Sequence, residues 1–223
     1  MRTTVVGIGG GETNEAVRNY LVSLTGKRRP RLLYLNTATP NDLARTLQVF
    51  EFFSRSAEVS RLDFFPWPPD DLRKFTLEHD LVFVGGGNTA NMLAIWRVHG
   101  FDLILREAFD GGIVLSGTSA GMICWFDAGV TDSFGPQLSG FRDGLAFVAG
   151  SACPHYDDDP LRRPTYQRLI RAEDLPPGYA ADEGVAITFV DGQLADVVTP
   201  RAGATAYYVD RETETQLDAT LVT

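Results

Sequence analysis

Histidine and cysteine are scarce in this chain: three and two among 223 residues. Cys124 and Cys153 belong to no Cys-x-x-Cys pair and to no Cys/His spacing of a zinc site. Two free thiols fit a reducing compartment, and a cytoplasmic protein is expected. Basic residues are outnumbered, 20 Lys and Arg against 29 Asp and Glu, for a net charge of −9. This argues against nucleic acid and anionic membranes as partners, since both call for a basic surface. No apolar run approaches the roughly 20 residues of a membrane-spanning helix. The first ten residues are too short and too rich in glycine for a signal peptide and read as a first strand. There is no internal repeat, low-complexity segment or linker, so a single α/β domain over residues 1–223 is expected.

What is present is a rhythm of short apolar runs and helical periods. Strands are expected at residues 3–8, 31–36, 59–64 and 80–85, and in the run beginning at Ile113. Helices are expected between them at 14–24, 41–55, 71–76, 90–98 and 102–109. Continuously apolar strands alternating with helices indicate a mostly parallel sheet covered by helices on both faces. Past Trp125 the rhythm changes. Residues 131–143 read as a loop, 145–150 as a strand and 165–170 as a short helix. A hairpin follows, with strands at 185–190 and 194–198 about the Asp191-Gly192 turn, and then closing strands at 204–209 and 216–222.

The chemistry centres on Gly117-Thr-Ser-Ala-Gly121, which lies between an apolar strand and a helix-forming run. Gly-x-Ser-x-Gly in this context is the pattern of a nucleophile elbow. The apex Ser119 is held in a strained conformation, and its neighbours two positions away are small where strand and helix nearly touch. A serine nucleophile needs a base. His79 precedes a strand and His99 ends a helix, which puts both away from the carboxyl edge of the sheet where sites form. His155 follows an apolar strand and Pro154, and is the expected base. For the acid that orients it, Asp132 is preferred, with Asp157, Asp158, Asp159, Asp182 and Glu183 as alternatives. Asp127 is expected two turns down the helix after Ser119, far from the reaction. The Ala120 N–H and the backbone of Gly86 and Gly87 are the expected oxyanion donors. Asn88 is expected to cap the following helix or contact substrate. Arg162 and Arg163 are expected to engage a substrate carboxylate. Neither Gly9–Gly11 nor Gly85–Gly87 completes a phosphate-binding motif.

Together Phe83-Val-Gly-Gly-Gly-Asn-Thr89, Gly117-Thr-Ser-Ala-Gly121 and Pro154-His155 resemble the peptidase E (dipeptidase E) and cyanophycinase family of serine peptidases. The resemblance implies a class I glutamine amidotransferase-like, flavodoxin-like fold extended by the C-terminal β-hairpin. It also implies Ser119 as nucleophile, His155 as base, an acid on or beside Asp132, and Gly87 as the glycine-loop donor. It implies a cytoplasmic exopeptidase for dipeptides or short peptides that needs no metal or organic cofactor, as a monomer or homodimer. Peptidase E enzymes bind an N-terminal aspartate through an arginine beyond the histidine. Thr165 falls at that position here, with Arg162, Arg163 and Arg168 nearby. In the cyanophycinase branch the orienting acid falls near Gln137, which cannot serve as an anion. The competing readings are an α/β-hydrolase esterase and an inactive peptide-binding relative.

Overall fold

Strand β1 (Thr4–Ile8) is buried along its whole length, because its two faces serve different cores. Val5 belongs to one cluster of buried residues, and Val6 and Ile8 to another. The alternation of strand side chains produces the same division in β2 (Arg31–Leu35), β4 (Leu81–Val84) and β5 (Val114–Thr118). These coordinates are a computed structural model that describes residues 2–11 and 14–223. Glu12 and Thr13, at the end of the first glycine loop, lie outside the described residues.

Helices α1 (Glu15–Leu24) and α2 (Leu43–Phe53) cover one face through Val17, Leu21, Val49 and Phe53. Asn14 and Asp42 cap them by accepting first-turn N–H groups. β3 (Glu58–Leu62) and α3 (Leu72–Leu77) follow, then α4 (Thr89–Val98) and α5 (Phe101–Asp110) on the opposite face, with Trp96 and Phe101 fully buried. Past Ser119 the helix is a single turn, α6 (Ala120–Ile123).

Beyond α6 the chain departs from the expected simple extension. β6 (Phe126–Thr131), β7 (Ser139–Phe141) and β8 (Val148–Cys153) precede α7 (Arg162–Arg171). Then come β9 (Gly178–Ala181), β10 (Ala186–Val190), β11 (Gln193–Thr199), β12 (Ala206–Val209), β13 (Glu214–Gln216) and β14 (Thr220–Leu221). The larger sheet has eight strands in the order β14-β11-β10-β1-β5-β4-β2-β3. Its β1, β5, β4, β2 and β3 are parallel, and the hairpin β10–β11 joins through an antiparallel β1–β10 pair. The six remaining strands form a second sheet, β13-β12-β9-β8-β6-β7. Sequence periodicity shows single strands but not their partners, so this second sheet was not legible. Phe126 and Ala152 of this sheet share the larger core with β10, and its other face packs against Tyr166, Leu169 and Ile170 of α7. Asp127 lies on β6, not on a helix, and its carboxylate accepts the Gly150 N–H at 2.7 Å.

Two sets of parallel strand ends therefore meet. From the larger sheet come the turns after β1, β2, β4 and β5. From the second sheet come those after β8 and β9, which are paired in parallel with Cys153 opposite Ala180. The first glycine loop joins the two sets: Gly9 accepts the His155 N–H at 2.7 Å and donates to Val185 at 2.9 Å.

Candidate active site

Ser119 stands between β5 and α6 with φ 56° and ψ −111°. A side chain at this backbone position is strained by about 1–3 kcal/mol. Its N–H is held by the Ile8 carbonyl at 3.1 Å, and its own carbonyl accepts from Met122 and Ile123. The flanking glycines are required by contact. A Cβ on Gly117 would come within 2.4 Å of the Gly121 carbonyl oxygen, and one on Gly121 within 2.3 Å of the Val84 carbonyl oxygen. So β5, α6 and β4 approach backbone to backbone, and the serine stands above them.

Ser119 Oγ lies 2.8 Å from His155 Nε2, and His155 Nδ1 lies 2.7 Å from Glu183 Oε2. His155 also adopts a positive φ, 56°. The imidazole side chain is one quarter exposed, so it is open to a substrate on one side. Room for the Glu183 carboxylate comes from Gly10, where a Cβ would sit 1.9 Å from Oε2.

The expectation that Asp132 orients the imidazole is corrected. Asp132 is exposed in the turn after β6, and that turn runs to α4, not to the histidine. Neighbouring Ser133 accepts the Asn88 side-chain amide at 2.9 Å and the Ala90 N–H at 3.2 Å. Glu183 holds the place instead. It follows β9 as His155 follows β8, and the parallel pairing of those strands brings the two residues together although they are 28 positions apart. The available signal was the rule that sites form at the carboxyl ends of parallel strands, applied to a second sheet.

The other acids near His155 are placed differently. Asp158 comes within 4.8 Å of the ligand atoms of His155 and Glu183, making a trio able to approach a metal ion. A metal there would compete with the His155–Glu183 bond, which occupies the facing atoms. Burial raises the Asp182 carboxyl above its ordinary value, opposed in part by the Thr205 N–H that it accepts at 2.9 Å.

The substrate-binding expectations change most. Arg162 is buried, donating to the Val130 carbonyl at 2.9 Å with Asp159 3.4 Å from its Nε. Arg163 pairs with Glu214 and lies over the Tyr156 and Tyr207 rings. Asn88 caps α4, accepting the Asn91 N–H at 2.8 Å. None of the three lines the cleft at Ser119. The cleft at Ser119, about 310 Å³, is lined instead by Gly11, Arg45, Gln48, Gly86, Gly87, Thr118, His155 and Glu183. Arg45 and Gln48 project from the first turns of α2, whose N-terminus follows the β2 strand end. Nothing in the residue pattern distinguishes Arg45 from other helical arginines; only the meeting of the start of α2 with the turns after β4 and β5 at the cleft selects it.

Gly87 has φ 136°, and a Cβ there would meet the Thr39 hydroxyl at 2.1 Å. Its backbone can therefore lie along the cleft only without a side chain. Ala120 opens α6, so its N–H is one of the first-turn donors without an intrahelical acceptor. His79 is buried beside α3, its Nδ1 2.9 Å from the Phe75 carbonyl oxygen, and His99 packs on Phe64; neither lines the cleft.

The family model "Peptidase family S51" matches residues 5–197. The chain is 42% identical over 212 residues to a Bacillus subtilis (strain 168) protein named "Uncharacterized peptidase YgaJ", covering 92% of this chain and 91% of that protein. A crystal structure of a peptidase from an acI-B1 Actinobacterium superposes with a TM-score of 0.71 at 18% identity, covering 100% of this chain and 97% of that one. A Listeria monocytogenes EGD-e protein named for peptidase E superposes with a TM-score of 0.66, also at 18% identity, covering 87% and 98%. At that identity the two structures show the shared fold alone.

Proposed function

The chain belongs to peptidase family S51 and is a serine peptidase; from that premise we propose that it is a cytoplasmic exopeptidase that cleaves dipeptides or short peptides with Ser119, His155 and Glu183. The observation that carries the reading is the continuous hydrogen-bonded line from Ser119 Oγ through the imidazole to the Glu183 carboxylate.

In this mechanism Ser119 Oγ attacks the scissile carbonyl as His155 Nε2 takes its proton. Glu183 accepts from Nδ1–H, which selects the tautomer whose Nε2 lone pair faces the serine, and it stabilises the imidazolium that forms. The oxyanion of the tetrahedral intermediate is held by the N–H groups of Gly87 and Ala120, with Gly86 beside them. Collapse delivers the Nε2 proton to the leaving amine. Water then attacks the acyl-enzyme, activated by the same imidazole, and releases Ser119. The Ser119 turn thereby acts as a nucleophile elbow.

A cleft of about 310 Å³ suits a ligand of dipeptide size, since small-molecule sites span roughly 300–1,000 Å³. Arg45 takes over the role expected of Arg162 and Arg163, pairing with a substrate carboxylate, and Gln48 supplies amide hydrogen bonds. The buried, unpaired thiols of Cys124 and Cys153 fit a reducing compartment. Among the described residues no helix is long and apolar enough to cross a membrane.

The reading is tested with a panel of Xaa-Leu dipeptides, including Asp-Leu, run on wild type and Ser119→Ala. Wild type is expected to hydrolyse members of the panel and Ser119→Ala none. Turnover that survives Ser119→Ala removes the mechanism.

A further inference from the structure

We propose that Asp157 is a positioning residue that sets the Glu183 carboxylate against His155, and that Arg201 holds Asp157 in place. The proposal rests on the reading of Ser119, His155 and Glu183 as the reacting set.

Glu183 reaches the imidazole from a short turn between β9 and β10, where Gly184 takes a positive φ of 80°. The direction of its side chain depends on how the backbone of that turn is held. Its own main-chain N–H donates to Asp157 Oδ1 at 2.7 Å. The second oxygen of the same carboxylate, Oδ2, accepts from Arg201 Nη2 at 2.6 Å. Both lengths are those of charge-assisted hydrogen bonds, about twice as strong as neutral ones. Arg201 is itself fixed at the backbone: Thr199 Oγ1, on a buried residue, donates to its carbonyl at 2.9 Å and accepts its N–H at 3.3 Å.

Asp157 is two residues past His155 in the chain, so its carboxylate ties the loop carrying the base to the loop carrying the acid. The neighbouring acid Asp182 cannot share this task, because its carboxylate faces the Thr205 N–H. Asp157 stays ionised: partial burial pushes its carboxyl up, but the Glu183 N–H and the Arg201 guanidinium outweigh burial and bring it below the ordinary value. A stability clamp would join any two parts of the two loops. This one ends on the backbone nitrogen of the acid that orients the base.

The test compares Asp157→Ala, Asp157→Asn and Arg201→Gln with wild type. It reads kcat and KM on one dipeptide, the rate at which a fluorophosphonate labels Ser119, and the melting temperature. A misplacement of about 1 Å at a reacting group costs about 100-fold in rate. Asp157→Ala is therefore expected to lose about 10- to 100-fold in kcat and in labelling rate, with KM within about twofold. Asp157→Asn keeps an acceptor for the Glu183 N–H but turns a donor nitrogen toward Arg201, so it is expected to lose about threefold to tenfold in kcat, less than the alanine variant. Arg201→Gln, at a half-exposed side chain, leaves the acceptor but frees its orientation, and kcat is expected to fall about threefold to tenfold. Wild-type kcat in Asp157→Ala, a loss in Asp157→Asn as large as in the alanine variant, or a loss confined to KM overturns the proposal. If Asp157→Ala does not fold, Arg201→Gln decides, and an unchanged kcat and labelling rate there overturn it. A wild-type protein that neither labels at Ser119 nor cleaves peptides defeats the reacting set itself. Labelled, active wild type with unaffected variants defeats only the positioning role.

Discussion

His155 Nδ1 faces Glu183 Oε2 at 2.7 Å across two strand ends of a sheet that carries none of the serine's own βα unit. His155 and Glu183 are thus delivered together by β8 and β9, and Ser119 separately by β5. The site exists only where the two sheets meet, and the backbone bonds of Gly9 to His155 and Val185 hold that meeting.

Glu183→Gln is expected to lower kcat by about 1,000- to 10,000-fold, since an amide at this place favours the wrong imidazole tautomer. Asp132→Asn is expected to keep kcat within about threefold, as befits an exposed surface group. Kinetics of the two variants on one dipeptide check the pair. A large loss in Asp132→Asn with normal turnover in Glu183→Gln would reverse the assignment.

Ser119→Ala and His155→Ala are each expected to reduce kcat by about 10⁶-fold, and the double variant by no more than either, because the pair acts as one unit. Single-turnover assays on the three proteins measure this. Multiplicative losses would show that the two residues act independently.

Arg45→Met is expected to raise KM for a dipeptide about tenfold, the scale of one lost charge-assisted hydrogen bond of about 1.5 kcal/mol. KM for the dipeptide amide should stay unchanged if the C-terminal carboxylate is the group recognised. A change shared by both substrates, but absent when an N-terminal aspartate is replaced by asparagine, would assign Arg45 to the aspartyl side chain.

Gly10→Ala is expected to impair catalysis before stability. The added methyl would overlap the Glu183 carboxylate, and the cheapest relief is rotation of that side chain away from His155. A fall of at least about 10-fold in kcat is expected, with overpacking costing about 1–3 kcal/mol in urea unfolding. Full activity in a folded Gly10→Ala protein would show that Glu183 is not confined there.

Glu214 gives a pH-dependent stability. Partial burial pushes its carboxyl up, but Tyr156, Arg163 and Gln167 donate to it and hold it below the ordinary value. A carboxyl lowered on folding stabilises the native state fully above its unfolded value of about 4.3. That stability is lost as pH falls through the folded value. Glu214→Gln is therefore expected to be less stable than wild type by about 1–2 kcal/mol at pH 7. The gap should close only below about pH 4. Urea titrations at pH 7, 5 and 3 follow it, and a gap that is the same at all three excludes the linkage.

The features legible in the chain before folding are local ones, or ones that scarcity leaves to a single candidate. The turn at Ser119 is written within one βα unit, because its glycine spacing answers contacts between adjacent backbone segments. The buried parallel strands are written in continuous apolar runs. His155 could be reached by elimination because histidine is so rare, and the structure brings it to 2.8 Å from Ser119. Tertiary structure decided everything that depends on which strands pair. Glu183 and Asp132 each follow a strand paired in parallel with β8, one on either side of it, and what separates them is the course of the chain beyond: Glu183 meets the imidazole at 2.7 Å, while the turn at Asp132 is tied to Asn88 and Ala90 through Ser133. Arg162, Arg163 and Arg45 are chemically alike. Burial under β6, capture by Glu214 and a place on the cleft wall give them different surroundings. Side-chain chemistry is carried by the residue, but partnership is carried by long-range register, and no local pattern encodes it.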